Sequence, residues 1–281
     1  MQLITPVTIS PSSLRIDYET PLLLLGSCFT DEIGGRLQAA GFDVLCNPFG
    51  TLYNPLSIVA CLERAVENGL INDDDLMWHD GLWHSWLHHS RFSHSDKDVC
   101  MARCNEAVGQ THAFLKRKPL LIVTLGTAWV YYYQGRVVAN CHKVPPRQFE
   151  RRRLNVGEIV SAWQPLMERL ACAVVFTVSP IRHMADGAHG NQLSKATLLL
   201  AVDALTEVLP QAGYFDSYEL LTDEMRDYRF YARDMCHPSE VAVDIVWERF
   251  REAYMSADTR EQVRQREKEF RQSQHRTIVN V

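Results

Sequence analysis

The chain has 281 residues, 46% of them hydrophobic, and a formal net charge of −5. That length and apolar content suit one α/β domain with a full core. The mild acidity gives no basis for a nucleic-acid partner or an anionic membrane surface, and no apolar run approaches the ~18 residues that cross a bilayer.

The opening stretch MQLITPVTISPSS lacks a basic n-region and an apolar h-region, so no signal peptide is expected. LLLLG (22–26) reads as a buried strand. DEIGGRLQAAG follows as a helix, with Ile33, Leu37 and Ala40 on one face and Gly41 as its stop. FDVLCNPFG (42–50) gives a second strand ending in a turn, and NPLSIVACLERAVENG (54–69) a second helix closed by Gly69. Residues 72–100 carry acids, three tryptophans and five histidines, and fit an insertion packed beside the core. LLIVTLGT (120–127) is a third strand. In YYYQGRVVANCHKV (131–144), Gln134-Gly135 separates two β-rich runs, as in a hairpin appended to the sheet. The basic run Arg151-Arg152-Arg153 reads as a solvated loop.

A helix near 156–171 leads to a fourth strand, AVVFTVSP (173–180), then to helices over roughly 192–209 and 238–254. The charged stretch after Met255 reads as a helical tail, 256–281, behind a single domain of residues 1–255. Strands apolar on both faces, alternating with helices, predict a three-layer α/β/α domain around a central, mainly parallel sheet. The eight cysteines are scattered. Cys100 and Cys104 stand as CxxxC without the second close pair of a zinc set. Free thiols in a reducing, cytoplasmic setting account for them, several as core residues.

Two turns carry the candidate chemistry. Gly26-Ser27-Cys28 lies where the first strand hands over to a helix, whose free N–H groups and positive dipole end face a site at that edge. A thiol there is expected to have its thiolate stabilised, into a range of roughly 3.5–7.5. The bland reading is a serine N-cap beside a core cysteine. Far along the chain, Asp234 and His237 stand three apart just before a helix, with Pro238 suited to its first turn. An aspartate at that spacing can orient an imidazole as a general base; a capping acid beside a surface histidine is the alternative.

A strand-glycine-nucleophile start and an Asp-x-x-His end together resemble the SGNH (GDSL-like) hydrolase superfamily. The words GSCF, NPFGTLYNP, NCHKVP, SPIRH, NxxSK and YRFYARDMCHPS look closely like the GSCFA family within it, over about residues 20–252. The resemblance implies a flavodoxin-like three-layer fold whose relatives mostly cleave or transfer acyl groups. The superfamily's first block is Gly-Asp-Ser, so by position Cys28 is the nucleophile, with Ser27 as second choice. Similar polysaccharide acyltransferases carry Gly-Asn-Cys there. Gly50 matches the glycine that lends an N–H to the oxyanion hole. The usual Gly-x-Asn-Asp block reads Gly126-Thr127-Ala128-Trp129, and Asn140 is expected to replace the missing asparagine.

Substrate contacts are expected from Gly126, Thr127, His142, Arg182 and His183. Arg182 would pin a carboxylate or phosphate, or else brace Asp234 or another acid. Asn191, Ser194 and Lys195 would start the next helix, as caps or as substrate contacts. His84 and His88 share the spacing of one helical face, yet no HExxH pattern accompanies them. No metal and no cofactor are expected, and the insertion reads as packing or as an aromatic wall.

The expectation is therefore acyl transfer through a covalent enzyme intermediate, the substrate a small-molecule or carbohydrate acyl ester. A binding protein that kept the fold and lost the chemistry is the competing class. A zinc hydrolase built on the histidine-rich insertion is the third. Hydrogen-bond contact between His237 and Cys28 or Ser27 would favour the enzyme over the binder.

Overall fold

The computed structural model describes residues 4–277. The chain opens with β1 (Leu22–Gly26), α1 (Cys28–Ala39), β2 (Val44–Cys46) and α2 (Pro55–Val66). A hairpin of β3 (Leu76–His79) and β4 (Leu82–Ser85) precedes α3 (Lys97–Leu115). Next come β5 (Leu120–Leu125), β6 (Trp129–Tyr133), β7 (Arg136–Val138), β8 (Glu150–Arg153) and α4 (Val156–Leu170). β9 (Val174–Val178), α5 (Gly187–Val208), β10 (Ala212–Tyr214) and the short α6 (Ser217–Glu219) follow. The chain ends in α7 (Glu240–Tyr254) and α8 (Ala257–Thr277).

The central sheet runs β10-β9-β5-β1-β2 with every pairing parallel. Counted along the chain this is the flavodoxin-like order 2-1-3-4-5, whose reversal falls between β1 and β5. Leu22 sits opposite both Val44 and Leu120, which fixes β1 between β2 and β5. Leu23 and Leu25 pack into a core shared with α2, α3, α4 and α5. Leu22 and Leu24 face the opposite core with α1, α7 and α8. Burial on both faces is why this strand is continuously apolar, and each leucine contributes roughly 1.5–3 kcal/mol. The three-layer α/β/α architecture is as expected.

Local chemistry sets the helix starts. Asn54 accepts from Ser57 N at 2.8 Å and is followed by Pro55 at the first helical position. Asn155 and Glu158 form a reciprocal capping box on α4.

Several elements differ from expectation. α1 begins at Cys28 itself. The second strand shrinks to three residues because Asn47 (φ 43°) and Gly50 (φ 85°) turn the chain. α3 and β10 were not foreseen, and the insertion is a β-hairpin with His84 in β4, so His84 and His88 share no helix. The appended hairpin is real, but it belongs to a separate antiparallel sheet ordered β7-β6-β8. The arginine run is β8 in that sheet, not a loop, with the Arg151 guanidinium 4.2 Å from the Trp129 ring centroid. α5 starts earlier, so Asn191, Ser194 and Lys195 lie inside it and cap nothing. Pro238 precedes the N-cap Ser239 and stands outside α7.

The tail docks. Val263 is buried, Trp247 Nε1 donates to Glu267 Oε1 at 2.8 Å, and the Arg266 guanidinium stands 3.9 Å from the Tyr18 ring centroid. Residues 1–3 and 278–281, the ends of the expected domain and tail, lie outside the described residues. Among those described, no helix is long and apolar enough to cross a membrane.

Candidate active site

Gly26 makes the turn after β1 possible. Its φ is 146°, and a Cβ there would lie 2.3 Å from Thr124 O. Its N–H donates to Asn47 Oδ1 at 2.9 Å, while Asn47 Nδ2 donates to Asp31 Oδ1 at 2.7 Å. The turn is thereby strapped to the end of β2 and the first turn of α1. Ser27 is the N-cap residue but makes no side-chain cap bond. Its Oγ is buried with no partner among the described residues. Cys28 is half-buried at the first helical position.

Burial pushes the Cys28 thiol above its ordinary pKa. The backbone N–H groups of Cys28 and Phe29 oppose that shift, whereas Asp31 and Glu32 reinforce it. The expectation of an acidified thiol is therefore corrected: desolvation outweighs the helix terminus here. A protonated thiol at this position needs a base.

Beneath the turn lies a lysine with no acid beside it. Lys195 is 1% exposed, and its Nζ donates to Gly126 O at 2.7 Å and to Ser179 O at 2.6 Å. No ion pair holds it among the described residues. Burial draws its pKa down to about 7, with the Cys28 charge acting the other way. The lysine thus ties the exits of β5 and β9 together on the floor below Cys28.

The Gly126-Thr127 turn is closed by the same helix. Gly126 N and Thr127 N both donate to Tyr53 O at 2.8 Å. Thr127 Oγ1 meets Ser194 Oγ at 3.1 Å, and that oxygen accepts from Ala128 N at 2.8 Å. Neither Gly126 nor Thr127 offers a free N–H to a substrate. A Cβ on Gly126 would lie 3.5 Å from Ser27 Cβ, so the two turns sit against each other.

The Asp234–His237 pair is formed. His237 Nδ1 meets Asp234 Oδ2 at 2.5 Å, and Asp234 Oδ1 accepts from Cys236 N and His237 N, each at 2.9 Å. Those backbone bonds, first from His237 and then from Cys236, hold the Asp234 carboxyl down to about 2. The loop is closed by Ala232 N donating to His237 O at 2.8 Å and by a bridge between Tyr231 and Pro238. With Nδ1–H donating to the carboxylate, Nε2 keeps its lone pair. Both side chains are 50% exposed, so the imidazole is oriented without being buried. No hydrogen bond joins it to Ser27 Oγ or Cys28 Sγ among the described residues. Catalytic contacts of this kind are commonly long in a free enzyme and tighten with substrate.

Other expected groups are engaged elsewhere. Gly50 N donates to Asn47 O at 2.8 Å, and a Cβ on Gly50 would lie 2.1 Å from His89 Cβ. Gly50 is therefore a packing glycine, and its N–H is not open to an oxyanion. Asn140 Oδ1 accepts from His142 N at 3.1 Å, leaving its amide nitrogen as the unspent donor. His142 Nε2 donates to Ser85 O at 2.8 Å, and its ring centroid lies 4.5 Å from that of His84. Burial brings the His142 pKa down to about 4, so it is a neutral ring packed against the insertion.

His183 Nδ1 meets Asp186 Oδ2 at 3.0 Å, and Asp186 also accepts from Arg151. This second histidine–aspartate pair was missed because the acid follows its histidine instead of preceding it. Arg182 makes no ion pair among the described residues and lies 6.0 Å from the Tyr231 ring centroid, so it does not brace Asp234. Lys195 had a legible signal. It falls with Asn191 and Ser194 on the stripe of α5 that continues as buried Leu198, Ala201, Val202 and Leu205.

Comparison with protein families matches residues 21–250 to the GSCFA family. No curated protein matches the chain.

Proposed function

From the premise that the chain belongs to the GSCFA family, we propose that it is an SGNH-type acyl-ester hydrolase or acyltransferase that works through a thioester on Cys28. The observation that carries this reading is the placement of the Cys28 thiol at the first position of α1, over its own N–H and that of Phe29, at the strand-order reversal of the sheet.

Because the thiol is protonated, His237 takes its proton as Sγ attacks the ester carbonyl. The new S–C bond gives a tetrahedral oxyanion, held by the Cys28 and Phe29 N–H groups and by the Asn140 amide. Asp234 stabilises the imidazolium and fixes its orientation. Collapse breaks the C–O bond, and the imidazolium returns its proton to the leaving alcohol. Water or a sugar hydroxyl then attacks the thioester, giving its proton to His237 and restoring the thiol. Ser27 is the second candidate nucleophile, but its Oγ is more deeply buried. The substrate in this reading is an acylated carbohydrate.

The lack of a bond between His237 and the turn favours one second reading, a carbohydrate-binding protein that retains the fold without the chemistry. Brief reaction with an activated acetyl ester, an acid quench and peptide mapping separates the two. The enzyme reading expects a mass adduct on Cys28 that is absent in Cys28→Ala and slowed in His237→Ala. An adduct formed at the same rate in His237→Ala would sink it.

A further inference from the structure

We propose that the recess beside the exit of β9 binds an anionic sugar, one bearing a carboxylate or a phosphate. Its role as the acyl acceptor rests on the acyl-transfer reading; the binding itself does not. The recess encloses about 480 Å³ and is lined by Arg182, Gln192, Asp223, Arg226, Tyr228 and Tyr231 among others. That volume lies within the roughly 300–1,000 Å³ of small-molecule sites.

The charges are unbalanced. Two guanidinium groups face the space against one carboxylate, and neither Arg182 nor Arg226 has an ion-pair partner among the described residues. A planar guanidinium left open at a recess is suited to bidentate capture of a carboxylate or phosphate.

The remaining walls suit a sugar. Tyr228 is 71% exposed and its ring centroid lies 6.0 Å from that of Tyr231, which presents aromatic surface for the ring C–H face. Gln192 Oε1 accepts from Tyr218 OH at 3.0 Å, which leaves the amide N–H groups to donate to hydroxyls. Asp223 is the acceptor those hydroxyls need.

Position links the recess to the chemistry. Arg182 follows Ser179, whose carbonyl holds Lys195, and Tyr231 pairs with Pro238 beside His237. β9 is two strands from β1, roughly 10 Å at the usual ~4.8 Å spacing. The acceptor role requires a sugar anchored at the arginines to present a hydroxyl across that span to a thioester on Cys28.

Calorimetric titration of the full chain with D-glucuronate, D-glucose 6-phosphate and D-glucose tests this at low salt. The expected result is a Kd for at least one anionic sugar below about 1 mM and roughly tenfold tighter than for glucose. Arg182→Gln combined with Arg226→Gln should abolish that preference, and both side chains are exposed, so the fold is not at stake. Tyr228→Ala should weaken the anionic sugar and glucose together. Equal binding of glucose, unchanged binding in the double arginine variant, or no heat from any of the three sugars overturns the proposal. A chain that binds glucuronate but forms no Cys28 adduct would refute the acyl-transfer reading alone, and the reverse outcome would refute this one alone.

Discussion

Lys195 Nζ reaches the carbonyl oxygen of Gly126 at 2.7 Å, from a side chain with no acidic partner among the described residues, directly beside the Ser27–Cys28 turn. An amine so placed is held by two carbonyl oxygens, those of Gly126 and Ser179. Its pH behaviour should be visible in stability.

The folded-state pKa of Lys195 is drawn down to about 7 from the usual 10.5. Between those values the unfolded chain binds a proton that the folded chain does not, so this group makes stability rise with pH across that window. Urea unfolding at pH near 7.5 and near 9.5 should show the native chain gaining on Lys195→Met by about 2–3 kcal/mol. A pH-independent difference would place the Lys195 pKa outside the window.

His142 gives the same sign in acid. Its folded pKa of about 4 lies below the ordinary histidine value of 6.5, so its stabilising contribution is complete above pH 6.5 and fades as the pH falls toward 4. Replacing it by Gln should flatten that part of the stability profile by about 3 kcal/mol. Thermal melts at several pH values between those limits read the change directly.

Asp234 is ionised far into acid, its pKa being about 2. Asp234→Asn should keep the loop closed yet lose the correct imidazole tautomer, with turnover falling by roughly 10²–10⁴. The rate of acetyl transfer to Cys28 is the measurement. A variant as fast as the native chain would remove Asp234 from the mechanism.

Gly50→Ala tests the packing assignment. The φ of 85° and the collision with His89 Cβ both oppose a side chain, so a loss of roughly 2–4 kcal/mol is expected. For a chain of this size that corresponds to a melting point lower by about 4–16 °C. An unchanged melting point would show that the turn yields more easily than its contacts imply.

The parts of the fold most legible in the sequence were those written in large apolar side chains. LLLLG and AVVFTVSP announce buried parallel strands because both faces of each are covered. α3 went unread because its buried stripe is Cys100, Cys104, Ala107, Val108, Thr111 and Leu115, helically spaced but built mostly of small or polar residues. β10 offered only Ala-Gly-Tyr, a strand made by its neighbour Val174–Val178 and not by its own propensity.

At the site, the Asp-x-x-His spacing foretold a contact that is present, since three residues can close it locally. The fates of Gly50 and Gly126 depended on whether their N–H groups were already taken, which only the partners Asn47 and Tyr53 decide. Lys195 was legible as a polar residue on the stripe that α5 continues with Leu198, Ala201, Val202 and Leu205, but its acceptors Gly126 O and Ser179 O are a tertiary fact.

The cysteines give the fold an internal reporter. Cys61, Cys100, Cys104 and Cys172 all lie in the core shared with α2 to α5, whereas Cys46, against the other layer, is only half-buried. A thiol-reactive dye would therefore reach the half-buried thiols first and the core ones only as the α2–α5 layer breathes. The slow phase would clock the opening of that layer while staying blind to α1, α7 and α8. Reagents aimed at Cys28 should accordingly be used in short pulses, before the far layer starts to answer.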